Sequence, residues 1–154
     1  AAELPEPITK ILAVNAERAL VQHVDGITVV RLDNRGRGTD QTTRSLPNAR
    51  YAPELDEWLA WSAWELWDFY ADGSVALLLR SQEPIQDVYS LPLMGALAIA
   101  YPTGIDAFNP GYFVTDRLAN IEAINHLEVN ERERILYAVG RYRSGQPGLY
   151  KLEY

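Results

Sequence analysis

Four side chains suited to a binding wall stand three residues apart: Trp58, Trp61, Trp64 and Trp67, with Phe69 and Tyr70 behind them. The chain has no other tryptophan. An indole joins a large apolar surface to a single N–H donor, so such residues anchor cores, wall pockets for flat apolar ligands, or dominate protein interfaces. Their spacing divides them. On a helix, steps of three fan them over half the circumference. On a strand, Trp61 and Trp67 face one way, and Trp58, Trp64 and Tyr70 the other.

The next candidate is the run Asn34-Arg35-Gly36-Arg37-Gly38-Thr39-Asp40. Glycine-spaced amides beside the guanidinium groups of Arg35 and Arg37 have the chemistry to hold a phosphate or a carboxylate. No phosphate-loop signature and helix follow, so nucleotide binding is not implied. The two histidines, His23 and His126, lie far apart, each followed by an apolar residue. A shared metal would need them to converge with carboxylates, and a metal-dependent hydrolase cannot be assembled from these residues. There is no Gly-x-Ser-x-Gly and no His-Glu-x-x-His, so no catalytic residue is assigned and the chain reads as non-enzymatic. No cysteine is present, which excludes disulfides, thiolate metal sites and a thiol nucleophile. Neither metal nor cofactor is expected.

Two binding readings follow. The first is a non-catalytic interaction protein, such as an inhibitor, an immunity-type protein or an assembly subunit. It would hold a macromolecular partner with a basic surface through an aromatic patch with an acidic rim. The second is a small barrel that binds, or acts on, a flat apolar small molecule. Its pocket would be lined by Trp61, Trp67 and Tyr137, with His126 or an acid as the polar group. Association with a second copy is compatible with either.

Charge favours a basic partner. The net charge is −7, which argues against nucleic acid. Residues 51–128 carry twelve acidic and two basic groups, whereas residues 31–50 carry five basic and two acidic ones. An acidic middle of this kind steers toward positive surfaces. No apolar stretch reaches the roughly 20 residues of a membrane helix. The start Ala1-Ala2-Glu3 fits a processed cytosolic chain, the expected compartment; it equally fits the residue after an Ala-x-Ala cleavage, in the periplasm or outside the cell.

The elements that would position these residues are mostly strands. With 154 residues, one domain is expected over 8–154, preceded by an extended arm over 1–7 that holds Pro5 and Pro7. Asp25-Gly26 and Asp72-Gly73 mark hairpins between apolar runs. Ile11 to Val24 reads as strand, with a short helix over 16–21 as the alternative. Asn34 to Asn48 and Pro102 to Gly111 read as loops. Pro53-Glu54-Leu55-Asp56-Glu57 resembles the acidic first turn of a helix over about 54–60, and a strand is expected over about 62–70. Val75 to Leu79 reads as a strand buried on both faces. Residues 115–127 fit a half-buried strand or a second helix, and Arg132 to Arg143 reads as strand. The fold expected is mainly β: an antiparallel barrel or strongly curved sheet with one or two short helices, α+β being the alternative.

Overall fold

Alternating β-branched and aromatic residues between tight turns form fifteen strands among the described residues, joined in the order of the chain. The computed structural model describes residues 7–14, 17–24, 26–35, 37–70, 72–142 and 145–154, with the backbone alone for 39–43. All of the expected N-terminal arm except Pro7 lies outside the described residues.

The strands form four antiparallel meanders. The first sheet is β1 (Lys10–Val14), β2 (Arg18–Gln22), β3 (Ile27–Leu32) and β4 (Gly38–Arg44). The second is β5 (Asn48–Ala52), β6 (Glu57–Trp61), β7 (Glu65–Tyr70) and β8 (Val75–Arg80). The third is β9 (Asp87–Leu91), β10 (Ala96–Tyr101), β11 (Gly104–Asn109) and β12 (Val114–Ala119). The fourth has three strands: β13 (Ile121–Asn130), β14 (Ile135–Tyr142) and β15 (Pro147–Glu153).

Each sheet packs on the next, and the apolar core is three slabs. Leu20, Ile27, Leu46, Ala60 and Phe69 fill the space between the first two sheets. Leu59, Trp61, Leu66, Val88, Ile99 and Phe108 join the second to the third. Leu91, Ala98, Ile105, Ile121, Leu127 and Leu136 join the third to the fourth. The leading strands come together on one side, where β9 touches both β5 and β13.

The mainly β expectation holds, but the sheets do not close into one barrel. Consecutive strands pair only within a meander, and between meanders the contact is face to face. The helix expected over 54–60 is instead a turn followed by β6. Asp56 there has φ 54°, the left-handed region, which ends any helical turn and returns the chain as a hairpin. Residues 115–127 are β12 and the start of β13, with no helix. Their apolar residues alternate, a strand period that outweighs the capping signal at Thr115. The alternative helix over 16–21 is β2. Strands β4 and β11 also occupy the centres of the two expected loops. Polar Gly38–Arg44 is an outer strand, where one edge needs no partner. Val75 to Arg80 is likewise an outer strand and only half buried, so its apolar run does not mark a central position.

Candidate partner-binding groove

In a meander, turns alternate between two ends. The turns after the first and third strand of each sheet therefore share one end: 53–56 and Asp72-Gly73 in the second sheet, 92–95 and 110–113 in the third, 131–134 in the fourth. Two features lie at this end. The Tyr154 amide donates to the Arg134 carbonyl. A small cleft also gathers Pro53, Glu54, Ser90, Val129 and Glu131.

At this end a groove of about 460 Å³ opens between the first and second sheets. One wall is Leu12, Ala13 and Val14 of β1 with Leu20 and Val29; the other is Tyr51, Trp58, Phe69 and Tyr70. Register explains the aromatic wall. Tyr51 pairs with Trp58 across β5–β6, and Trp58 with Phe69 across β6–β7, so the rings share one face. Tyr51 and Trp58 lie 5.3 Å apart with their planes tilted by 43°. Such pairs contribute about 0.5–1.5 kcal/mol beyond area burial.

Carboxylates edge this wall. The Tyr51 hydroxyl donates to Asp56 Oδ1 at 2.5 Å, and this bond to an acceptor raises the phenol's pKa above its ordinary value. Asp72 accepts from both the amide and the hydroxyl of Ser74, which lowers its pKa. Gly73 (φ 79°) has no room for a Cβ because the Arg18 side chain lies over it, at the mouth of the groove. Beside the groove wall, on the same hairpin, the buried Asp68 faces Glu57. Burial first, then the Glu57 carboxyl, push its pKa up to about 7.

The tryptophans do not form one cluster. The hairpin turn reverses their parity: Trp58 and Trp67 face the first sheet, while Trp61 faces the third. Trp61 is buried, and its Nε1 has no hydrogen-bond partner among the described residues. Trp67 is half-buried; its Nε1 donates to Glu65 Oε2, and the Arg44 guanidinium sits 5.0 Å from its ring centre. Trp64 is exposed in the β6–β7 turn, at the end of the molecule away from the groove. The pocket expected from Trp61, Trp67, Tyr137 and His126 is not assembled, because Tyr137 and His126 belong to the fourth sheet.

The Arg35–Arg37 loop does cradle an anion, and that anion is Asp33. Its Oδ1 accepts from the Arg35 and Arg37 amides at 2.9 and 2.8 Å, and its Oδ2 accepts from Arg37 Nε at 2.8 Å. These bonds lower the Asp33 pKa. His23, just past the end of β2, is buried and bonds Thr28 Oγ1 of β3 at 3.1 Å. His126 is exposed, with Nε2 3.5 Å from Glu128 Oε2. Among the described residues no three His, Cys, Asp or Glu side chains converge as metal ligands.

The sequence reading missed a polar tie across the leading strands. Asp87 Oδ1 on β9 lies 3.1 Å from Arg50 Nη1 on β5, and its Oδ2 accepts the Leu127 amide of β13 at 3.0 Å. The Arg50 guanidinium also covers the Tyr89 ring at 4.3 Å, and the Tyr89 hydroxyl donates to Glu128. Its members are spread over three leading strands, β5, β9 and β13, so only the topology brings them together.

No family model matches the chain, and no curated protein matches it. Solved structures do. A mutant puromycin hydrolase complexed with PGG aligns at TM-score 0.59 and 16% identity, over 89% of this chain and 25% of that one. Hsv2 of Kluyveromyces lactis aligns at TM-score 0.57 and 15% identity, over 90% of this chain and 48% of that one. The N-terminal domain of Nup159 aligns at TM-score 0.53 and 11% identity, over 98% and 46%. The chain thus spans a quarter to about half the length of these structures. They are β-propellers, and the four sheets described above have the form of consecutive propeller blades. At these identities the likeness shows the fold alone. No helix among the described residues is long and apolar enough to cross a membrane.

Proposed function

We propose that this chain is a non-catalytic interaction module that holds an apolar side chain of a basic protein segment in the groove between its first two blades. The observation that carries this reading is the groove itself: about 460 Å³, aromatic on one wall, aliphatic on the other, with Asp56 and Asp72 beside it. Aromatic residues flanking a desolvated pocket are the usual anchors of protein recognition. Between Arg50 and Arg80 the sequence has six acidic residues and no basic one, which selects a positive partner. The fold neighbours include both an enzyme and Nup159, the latter in a complex with Dbp5, so fold alone does not decide function.

The test is a random-peptide display selection against the full chain. Selected peptides are expected to share an apolar residue flanked by Lys or Arg, and to lose binding to the Trp58→Ala chain. Selection without such a consensus, or peptides indifferent to Trp58, would contradict the proposal. A flat apolar small molecule is the second reading, favoured by a volume within the roughly 300–1,000 Å³ of ligand pockets. It predicts that flat hydrophobic compounds quench tryptophan emission, and that Trp58→Ala abolishes the effect.

A further inference from the structure

The small cleft at the groove end has a volume of about 70 Å³ and lies where the leading strands meet. Three blades line it: Tyr51 of β5 with the turn residues Pro53 and Glu54, Ser90 of β9, and Val129 of β13 with Glu131 of the following turn. Tyr51 also lines the groove, so cleft and groove adjoin across one residue. Glu54 and Glu131 are exposed, and among the described residues neither carboxylate has a hydrogen bond or an ion pair. Both act on one point: burial first, then Glu131 and Glu54, raise the pKa of the Tyr154 phenol, with Arg134 opposing. The Oη of Tyr154 is buried without a partner among the described residues. Ser90 is only 6% exposed, and its hydroxyl has no hydrogen-bond partner among the described residues either. Buried polar groups are ordinarily satisfied, so these point to a ligand. Arg50 lines the cleft too, but its charge is answered within the protein. Its Nη1 donates to the Val88 carbonyl at 2.6 Å and lies 3.1 Å from Asp87 Oδ1.

We infer that this cleft holds the ε-ammonium of a lysine in the partner segment, between Glu54 and Glu131. This deepens the proposed function and rests on it: an apolar residue of the segment fills the groove, and the lysine enters the cleft beyond Tyr51. An ammonium is compact and carries three N–H donors, which two carboxylates and the Ser90 hydroxyl satisfy. The lysine stem lies against Pro53 and Val129, as aliphatic stems of charged residues do. A divalent ion fits less well. Calcium takes roughly six to eight oxygen ligands, and no three His, Cys, Asp or Glu side chains converge among the described residues.

The test titrates n-butylammonium, a lysine side chain without its backbone, into the isotope-labelled full chain and follows the amide signals by NMR. The amides of Glu54, Ser90 and Glu131 are expected to shift in the native and the Trp58→Ala chains alike. They should stay still in a folded chain carrying both Glu54→Gln and Glu131→Gln. No shift in the native chain, or shifts that persist in the paired variant, overturns the cleft as an ammonium site. Calcium chloride that moves these signals more readily than n-butylammonium assigns the cleft to a metal ion and also overturns it. Each lysine of a display-selected peptide is then replaced in turn by norleucine. One position is expected to cost roughly tenfold in affinity for the native chain, and far less for the paired variant. Equal losses in the two chains overturn the lysine assignment, while peptides that still depend on Trp58 keep the groove reading. If no selected peptide depends on Trp58, the groove reading fails and the lysine assignment with it, even where n-butylammonium binds.

Discussion

Asp68 shows how one residue couples the groove hairpin to pH. Its pKa is 3.8 in an ordinary setting and is raised to about 7 by burial and by the facing Glu57. Between those values the native state binds more protons than the unfolded chain, so stability falls as pH rises and levels off above about 7. Thermal unfolding is expected to show a Tm that declines from pH 5 to pH 8. The Asp68→Asn chain, neutral throughout, should lose most of that decline. Parallel Tm profiles for the two chains would contradict the assignment. Asp56 plays a different part: its left-handed backbone closes the β5–β6 turn while its carboxylate fixes Tyr51. Glycine tolerates that φ at no steric cost. Asp56→Gly should therefore keep the fold and weaken peptide binding, measured by titration beside the unfolding curve.

At the scale of elements, the leading strands are held by Asp87, which serves Arg50 on β5 and the Leu127 amide on β13. Asp87→Ala leaves the partly buried Arg50 guanidinium with the Val88 carbonyl but no carboxylate, and the buried Leu127 amide without its acceptor, so urea unfolding should show a loss of about 3 kcal/mol. Gly140→Ala probes the fourth sheet. A Cβ there would stand 2.7 Å from Ile121 Cγ2 and 2.9 Å from the Glu122 carbonyl oxygen, so a loss of about 1–3 kcal/mol is expected in the same assay. Strand identity was legible in the sequence where alternation or a Gly turn is strong, as in β7–β8 around Asp72-Gly73 and in β14. It was not legible at β6, whose acidic approach imitates a helix start, or at β4, whose polar residues imitate a loop. Tyr51 escaped notice for the same reason: it reaches Trp58 only if residues 53–56 turn back as a hairpin. The signal was present, since Tyr51 and Trp58 flank the four residues 53–56 symmetrically and pair once the helix is set aside. The Asp87 tie has no local signal at all, because its partners are 37 and 40 residues away in the chain.

The whole molecule is a row of four blades whose groove end carries the aromatic wall, while its acidic residues concentrate in the second blade. Attraction of a basic peptide should therefore weaken with salt, by roughly tenfold between low and high ionic strength, while Tm changes little. The same end also exposes Leu93, Met94, Tyr112 and Phe113 on the third blade, apart from the groove. Substituting these four together should leave groove binding unchanged if the first two blades are the partner site. The most direct measurement is titration of a display-selected basic peptide into the native and Trp58→Ala chains, followed by tryptophan fluorescence and checked by calorimetry. A loss of at least roughly tenfold in affinity, with a native-like Tm, is the predicted result. Unchanged affinity in a folded Trp58→Ala chain would contradict the groove as the site of recognition.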